Sequence, residues 1–219
     1  MTNLELLKQQ CELDIREGRP HEVSKRLARL NTARIPRQWR QTIANICRRA
    51  GLYSLGMTVL AKVIHPARHK DGDEPTSAEL AEYAVLLLRI GVFTEANEKL
   101  SKVNTEEVPD ALLYRAFANF SCWEFMESIP TLQTYLRSSI SPYSQLVGRV
   151  NLAFAYVETR QLLQAKSLLE ENIALARAAG YSRLQSNCRA LLARINILEN
   201  SFSKAKLDLN IARDLLGSA

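Results

Sequence analysis

His65 and His69 stand four residues apart, and Asp71 and Asp73 follow within the same stretch. Imidazole and carboxylate are ordinary ligands of divalent metals, and an i, i+4 histidine pair suits one face of a helix. The setting argues against that use. Pro66 and Pro75 bracket a polar, charged run from His65 to Pro75, which reads as a loop. His21 follows Pro20 and has no partner in sequence. Cys11, Cys47, Cys122 and Cys188 lie too far apart for a zinc cluster or a disulfide framework, so they read as reduced packing residues of a cytoplasmic protein. No Ser-His-Asp order, phosphate loop or paired-carboxylate cleft can be picked out. These residues describe a chain that is not an enzyme and carries no metal or other cofactor. The chemistry left to it is recognition.

Charge is the second feature that could recognise something. Residues 1–70 hold 14 Lys and Arg against 5 Asp and Glu, whereas residues 71–219 hold 15 against 18. Arg34, Arg37, Arg40, Arg48 and Arg49 form the densest part of this basic half. Such a patch could meet acidic protein, a membrane surface or nucleic acid. Trp39 and Tyr53 are the only aromatics nearby, too few for base stacking, so nucleic acid is disfavoured and an acidic protein partner is the better fit. The bland reading is a solvated helix face, which is what charge runs usually are.

The elements that must position these residues are helices. Leu152 to Leu175 is apolar at i, i+3, i+4 and i+7. Few runs are rich in β-branched residues, and Gly and Pro fall mostly between helical stretches. Thr76 or Ser77 is placed to cap the helix after the His65–Pro75 loop, with Glu79 close behind. No stretch approaches the roughly 18 apolar residues of a membrane span, and the N-terminus lacks an apolar signal core.

A unit repeats along these helices. Ala84, Leu87, Gly91, Phe93, Ala96 and Leu100 recur as Ala153, Tyr156, Arg160, Leu162, Ala165 and Leu169, and again as Ala193, Asn196, Asn200, Phe202, Ala205 and Leu209. The small residue of each second helix falls at Val23, Gly56, Ala96, Ser128, Ala165 and Ala205, spaced 32 to 40 residues apart. Small residues at Ala44, Ala84, Ala116, Ala153 and Ala193 let helix axes approach closely. The pattern resembles the tetratricopeptide repeat (TPR), a helix-turn-helix unit of 34 residues. Val23, Ser128 and Pro130 depart from it. The resemblance implies an all-α, right-handed superhelical solenoid of about six repeats, a single domain over residues 1–219.

It also implies a site. In TPR arrays the first helix of each unit lines a concave groove. The matching positions here are polar in the second unit (Gln38, Gln41, Asn45, Arg48) and apolar from the third to the fifth. Val85, Leu88, Leu113, Phe117, Phe120, Val150, Phe154 and Val157 make up that apolar stripe. An apolar peptide or amphipathic helix would dock on it, with the Arg34–Arg49 region steering an acidic partner. The bland alternative is that these side chains are core. The carboxylate clamp of some TPR domains does not fit, because Ala81 and Val85 occupy its positions in the third unit.

The leading expectation is therefore a cytoplasmic scaffold or adaptor that binds a protein segment. The alternative is a sensor or regulatory domain of a larger protein, for example a transcription regulator, continuing after residue 219. The apolar last helix (Leu207, Leu209, Ile211, Leu215, Leu216) fits that alternative, and fits a homodimer through the C-terminal helices equally well.

Overall fold

The computed structural model describes residues 3–16, 19–65 and 74–217, and every regular element among them is helical. The chain divides into two compact units, 1–114 and 115–219, with the boundary inside one helix. The first unit holds α1 (Asn3–Arg16), α2 (Pro20–Leu27), a 3-10 turn (Thr32–Arg34), α3 (Arg37–Arg49), α4 (Tyr53–Ile64), α5 (Ser77–Arg89) and α6 (Phe93–Ser101). Helix α7 (Asp110–Ser121) starts in it and ends in the second unit. The second unit continues with α8 (Phe125–Arg137), α9 (Pro142–Glu158), α10 (Leu162–Ala178), α11 (Ser182–Leu198) and α12 (Phe202–Gly217). No described helix is long and apolar enough to cross a membrane.

The helix boundaries follow local chemistry. Thr76 caps α5 through a capping box: its hydroxyl accepts from the Glu79 N–H, and the Glu79 carboxylate accepts from the Thr76 N–H. Ser141 caps α9, with Pro142 at its first position. Each hairpin from the second onward turns on a residue with positive φ: Gly51, Gly91, Trp123, Arg160 and Asn200. Glycine suits that conformation, so Trp123 and Arg160 are the exceptions. Helix α8 runs on through Pro130, whose side chain faces solvent.

Packing depends on the small residues of the repeat. Ala44, Ala84, Ala116, Ala153 and Ala193 are all buried, as are Val23, Gly56, Ala96, Ser128, Ala165 and Ala205. A Cβ on Gly56 would lie 3.1 Å from the Leu86 methyls and 3.3 Å from Cys47 Cβ, so α4 sits against α3 and α5 because that position has no side chain. In the second unit Ala153, Val157, Ala165, Leu169, Ile173, Cys188, Leu192 and Ile195 form one core from α9, α10 and α11. Burial of this apolar surface, at about 25 cal/mol per Å², is what holds the hairpins together. It also raises the thiols of Cys11, Cys47 and Cys188 above their usual range, that of Cys47 to about 12, so they serve as packing groups.

Candidate partner-binding surface

The basic cluster of the first unit is largely neutralised by the protein's own acids. Arg37 pairs with Glu79 at 3.1 Å and also donates to the Glu74 carbonyl at 2.6 Å. Arg40 is buried and donates to the Val59 carbonyl at 3.1 Å. Arg49 pairs with Glu12 at 2.6 Å. Arg48 reaches furthest inward. Its Nε donates to the buried Glu82 carboxylate at 2.6 Å and its Nη2 to the Tyr114 hydroxyl at 3.3 Å, while the guanidinium lies 5.4 Å from the Tyr114 ring centre. Burial disfavours the Arg48 charge, but Tyr114 and Glu82 more than offset it and its pKa is raised. Glu79 behaves likewise: burial pushes its pKa up, and the bonds from Arg37 and Thr76 hold it below the usual range. Of the five arginines, Arg34, at the end of the 3-10 turn, is the one whose side chain stays open to solvent without a described ion pair. Arg37, Arg48 and Arg49 thus tie neighbouring repeats together, Arg40 ties α3 to α4 within one hairpin, and Arg34 remains open to solvent.

The expected apolar groove is also smaller than the sequence suggests. Val85, Leu88, Leu113 and Val157 are buried and offer no surface to a partner. In the first unit Gln38, Gln41 and Ala78 border an open depression with Arg37 and Glu79. In the second unit Phe117, Phe120, Val150 and Phe154 are half-exposed. Phe120 is the hub of an aromatic cluster there, 6.3 Å from Phe117 and 5.1 Å, edge-on, from Phe154. Phe125, at the start of α8, joins them at 5.8 Å from Phe120 and 5.7 Å from Phe154. On α11 the Arg194 guanidinium lies 5.9 Å from the Phe154 ring centre and 2.5 Å from Glu158, an ion pair without hydrogen-bond alignment. Asn187, Ala190 and Ile197 continue the exposed face of α11.

Two members of this surface fall outside the sequence expectation. Trp123 lies in the hairpin turn and Phe125 opens α8, apart from the first-helix positions that the repeat singles out. Trp123 is 80% exposed, and its ring stands edge-on to Phe125 at 5.9 Å. The signal for it lies in the pattern, since the turn position that is Gly51 and Gly91 elsewhere is here a tryptophan. Among the described residues no three His, Cys, Asp or Glu side chains gather as a metal site. His69, Asp71 and Asp73 lie outside the described residues.

No protein-family model matches the chain, and no curated protein matches it. Solved structures do. MamA residues 41 to the end from Desulfovibrio magneticus RS-1 align with a TM-score of 0.56 and 16% identity, covering 83% of this chain and 95% of that one. A MamA RS-1 ArsTM double mutant aligns with a TM-score of 0.55 and 16% identity, over 83% and 94%. A kinesin-light-chain-type protein of Podosopora anserina, with nearly identical TPR-like repeats, gives a TM-score of 0.57 and 21% identity, over 83% and 94%. The fold is TPR-like. In TPR-like terms α1, α3, α5, α7, α9 and α11 are the first helices of their hairpins, and the aromatic cluster sits where α7 and α9 present their first-helix faces. TPR-like folds are in general protein-interaction scaffolds.

Proposed function

We propose that this chain is a non-enzymatic, cytoplasmic scaffold that holds an apolar segment of a partner protein on the first-helix face of its second unit. One observation carries the reading: Phe117, Phe120 and Phe154 form a connected aromatic cluster that remains half-exposed. The matching positions of the first unit, Val85 and Leu88, are closed into the core. Half-exposed aromatics that are already packed lose little rotamer freedom on binding, which is what makes them interface anchors. The test is capture from native extract with the wild-type chain and a Phe117→Asp/Phe154→Asp variant as baits, with circular dichroism of both. A partner held by the wild type and lost by an equally helical variant is expected. Equal capture by both would remove this face from the function.

Self-association is a second arrangement that one observation favours. In α10, Leu169 and Ala176 are fully buried, Leu169 against Cys188, Leu192 and Ile195 of α11 and Ala176 against Leu184. The equivalent residues of α12, Leu209 and Leu216, are 50% and 53% exposed. Pairing of two α12 helices would cover them. Light scattering across a concentration series checks this: a dimer that Leu209→Lys/Leu216→Lys converts to monomer is expected, and a wild-type monomer at every concentration counts against it.

A further inference from the structure

The turn between α7 and α8 displays a second set of exposed apolar side chains. Trp123 is 80% exposed and Met126, one helical step on, is 59% exposed. Trp123 adopts φ 63, and its position is fixed by the turn: its N–H donates to the Phe120 carbonyl at 3.2 Å, and the Glu124 N–H to the Asn119 carbonyl at 2.9 Å. The indole is 80% exposed and stands perpendicular to the Phe125 ring, which connects it to the Phe120–Phe154 cluster. Apolar area of this kind, displayed and not tucked away, marks an interaction surface.

The charges around it say what it fits. Between Ala116 and Leu136 the only charged residues are Glu124 and Glu127. Both side chains are exposed, and neither has an ion pair among the described residues. On the neighbouring hairpin Gln161 comes within 4.0 Å of the Met126 sulfur, and Arg160, next to it in the chain, is exposed. Residues 71–219 as a whole hold 15 Lys and Arg against 18 Asp and Glu, and this segment is acidic without a basic residue of its own. An indole face is the best aromatic partner for a guanidinium or ammonium group, and a carboxylate beside it adds a charge-assisted bond.

We infer that Trp123, Met126, Glu124 and Glu127 form an anchor for a basic–apolar segment of a partner protein, in which an Arg or Lys stacks on Trp123 and pairs with Glu124 or Glu127 while an adjacent apolar side chain covers Met126. The inference rests on the scaffold reading and deepens it, moving the expected partner from acidic to basic at this rim.

The probe is a fluorescein-labelled helical peptide with Arg and Leu on one face, followed by anisotropy at low salt. Its control is the same peptide with Glu in place of Arg. The Arg peptide is expected to bind and the Glu peptide not to, against the direction that the net charge of +6 would favour. Trp123→Gly keeps the positive-φ turn intact and is expected to lower affinity at least tenfold, as is Glu124→Gln/Glu127→Gln, which should also flatten the salt dependence. Equal binding of the two peptides, or an unchanged Trp123→Gly variant, overturns the proposal. So does self-association of the wild type that Trp123→Gly abolishes, because the occupant is then a second copy of the chain. Phe117→Asp/Phe154→Asp separates this from the broader reading: natural-partner capture lost there but retained in Trp123→Gly leaves the scaffold standing and the rim without a role.

Discussion

Replacing Glu82 with Ala is expected to cost the first unit about 3–5 kcal/mol, the usual consequence of removing one member of a buried ion pair. The Glu82 side chain is 2% exposed and that of Arg48 14%. The carboxylate accepts from Arg48 Nε at 2.6 Å and from Asn45 Nδ2 at 3.0 Å, so a single truncation leaves both donors poorly solvated and without their acceptor. Tyr114 still faces the guanidinium, but a hydroxyl cannot balance its charge. Urea unfolding followed by Trp39, which lies in the first unit, reads the loss. The informative partner is the double variant Glu82→Leu/Arg48→Met. It removes both charges together and is expected to regain most of the stability, because the cost belongs to the orphaned charge and not to the missing attraction. A Glu82→Ala variant within about 1 kcal/mol of wild type, or a double variant no better than the single, would show that water reaches this network.

That network also explains how far the sequence can be read. Local signals carry well. The capping pair Thr76 and Glu79, the turn at Gly91 and the small residues from Val23 to Ala205 act through the backbone within a few residues or through steric contact, and all of them are where the pattern places them. The arginines mislead because their partners are one repeat away. Arg48 meets Glu82 across 34 residues, Arg49 meets Glu12 across 37, and Lys166 meets Glu199 across 33. In a stacked array the residues facing a given side chain lie about one repeat up or down the chain, so a local charge count cannot separate a free patch from an internal ladder. Asking which acids stand 33 to 37 residues from each cation finds these pairs. The groove positions are only half legible for a related reason. The repeat says which face of a first helix is inward, but it does not distinguish the buried Val85 and Leu88 from the half-exposed Phe117 and Phe154.

Gly148→Leu is expected to destabilise the second unit by about 3 kcal/mol and to weaken partner binding with it. Glycine inside a helix is unfavourable by roughly 1 kcal/mol relative to alanine, so its presence in α9 needs a packing reason. A Cβ at this position would stand 2.8 Å from a Leu136 methyl and 2.9 Å from two ring carbons of Tyr135. The Leu136 methyl can swing aside, whereas the Tyr135 ring is 1% exposed and has no room to retreat. Even Gly148→Ala should therefore lose its helix-propensity gain to the clash, and it should be worse tolerated than Gly56→Ala, where the tightest contacts are the 3.1 Å approaches to Leu86 methyls. Urea denaturation followed by circular dichroism ranks the three variants, and Gly148→Ala more stable than wild type would refute the close-packing argument. The functional consequence follows from position. Gly148 sets how near α8 can come to α9, and Phe125 at the start of α8 meets Phe154 of α9 at 5.7 Å. A larger residue at 148 forces those helices apart and opens the aromatic cluster from behind. Partner capture should then fall in Gly148→Leu even where the protein remains folded, because Gly148 sets the spacing that supports the aromatic cluster.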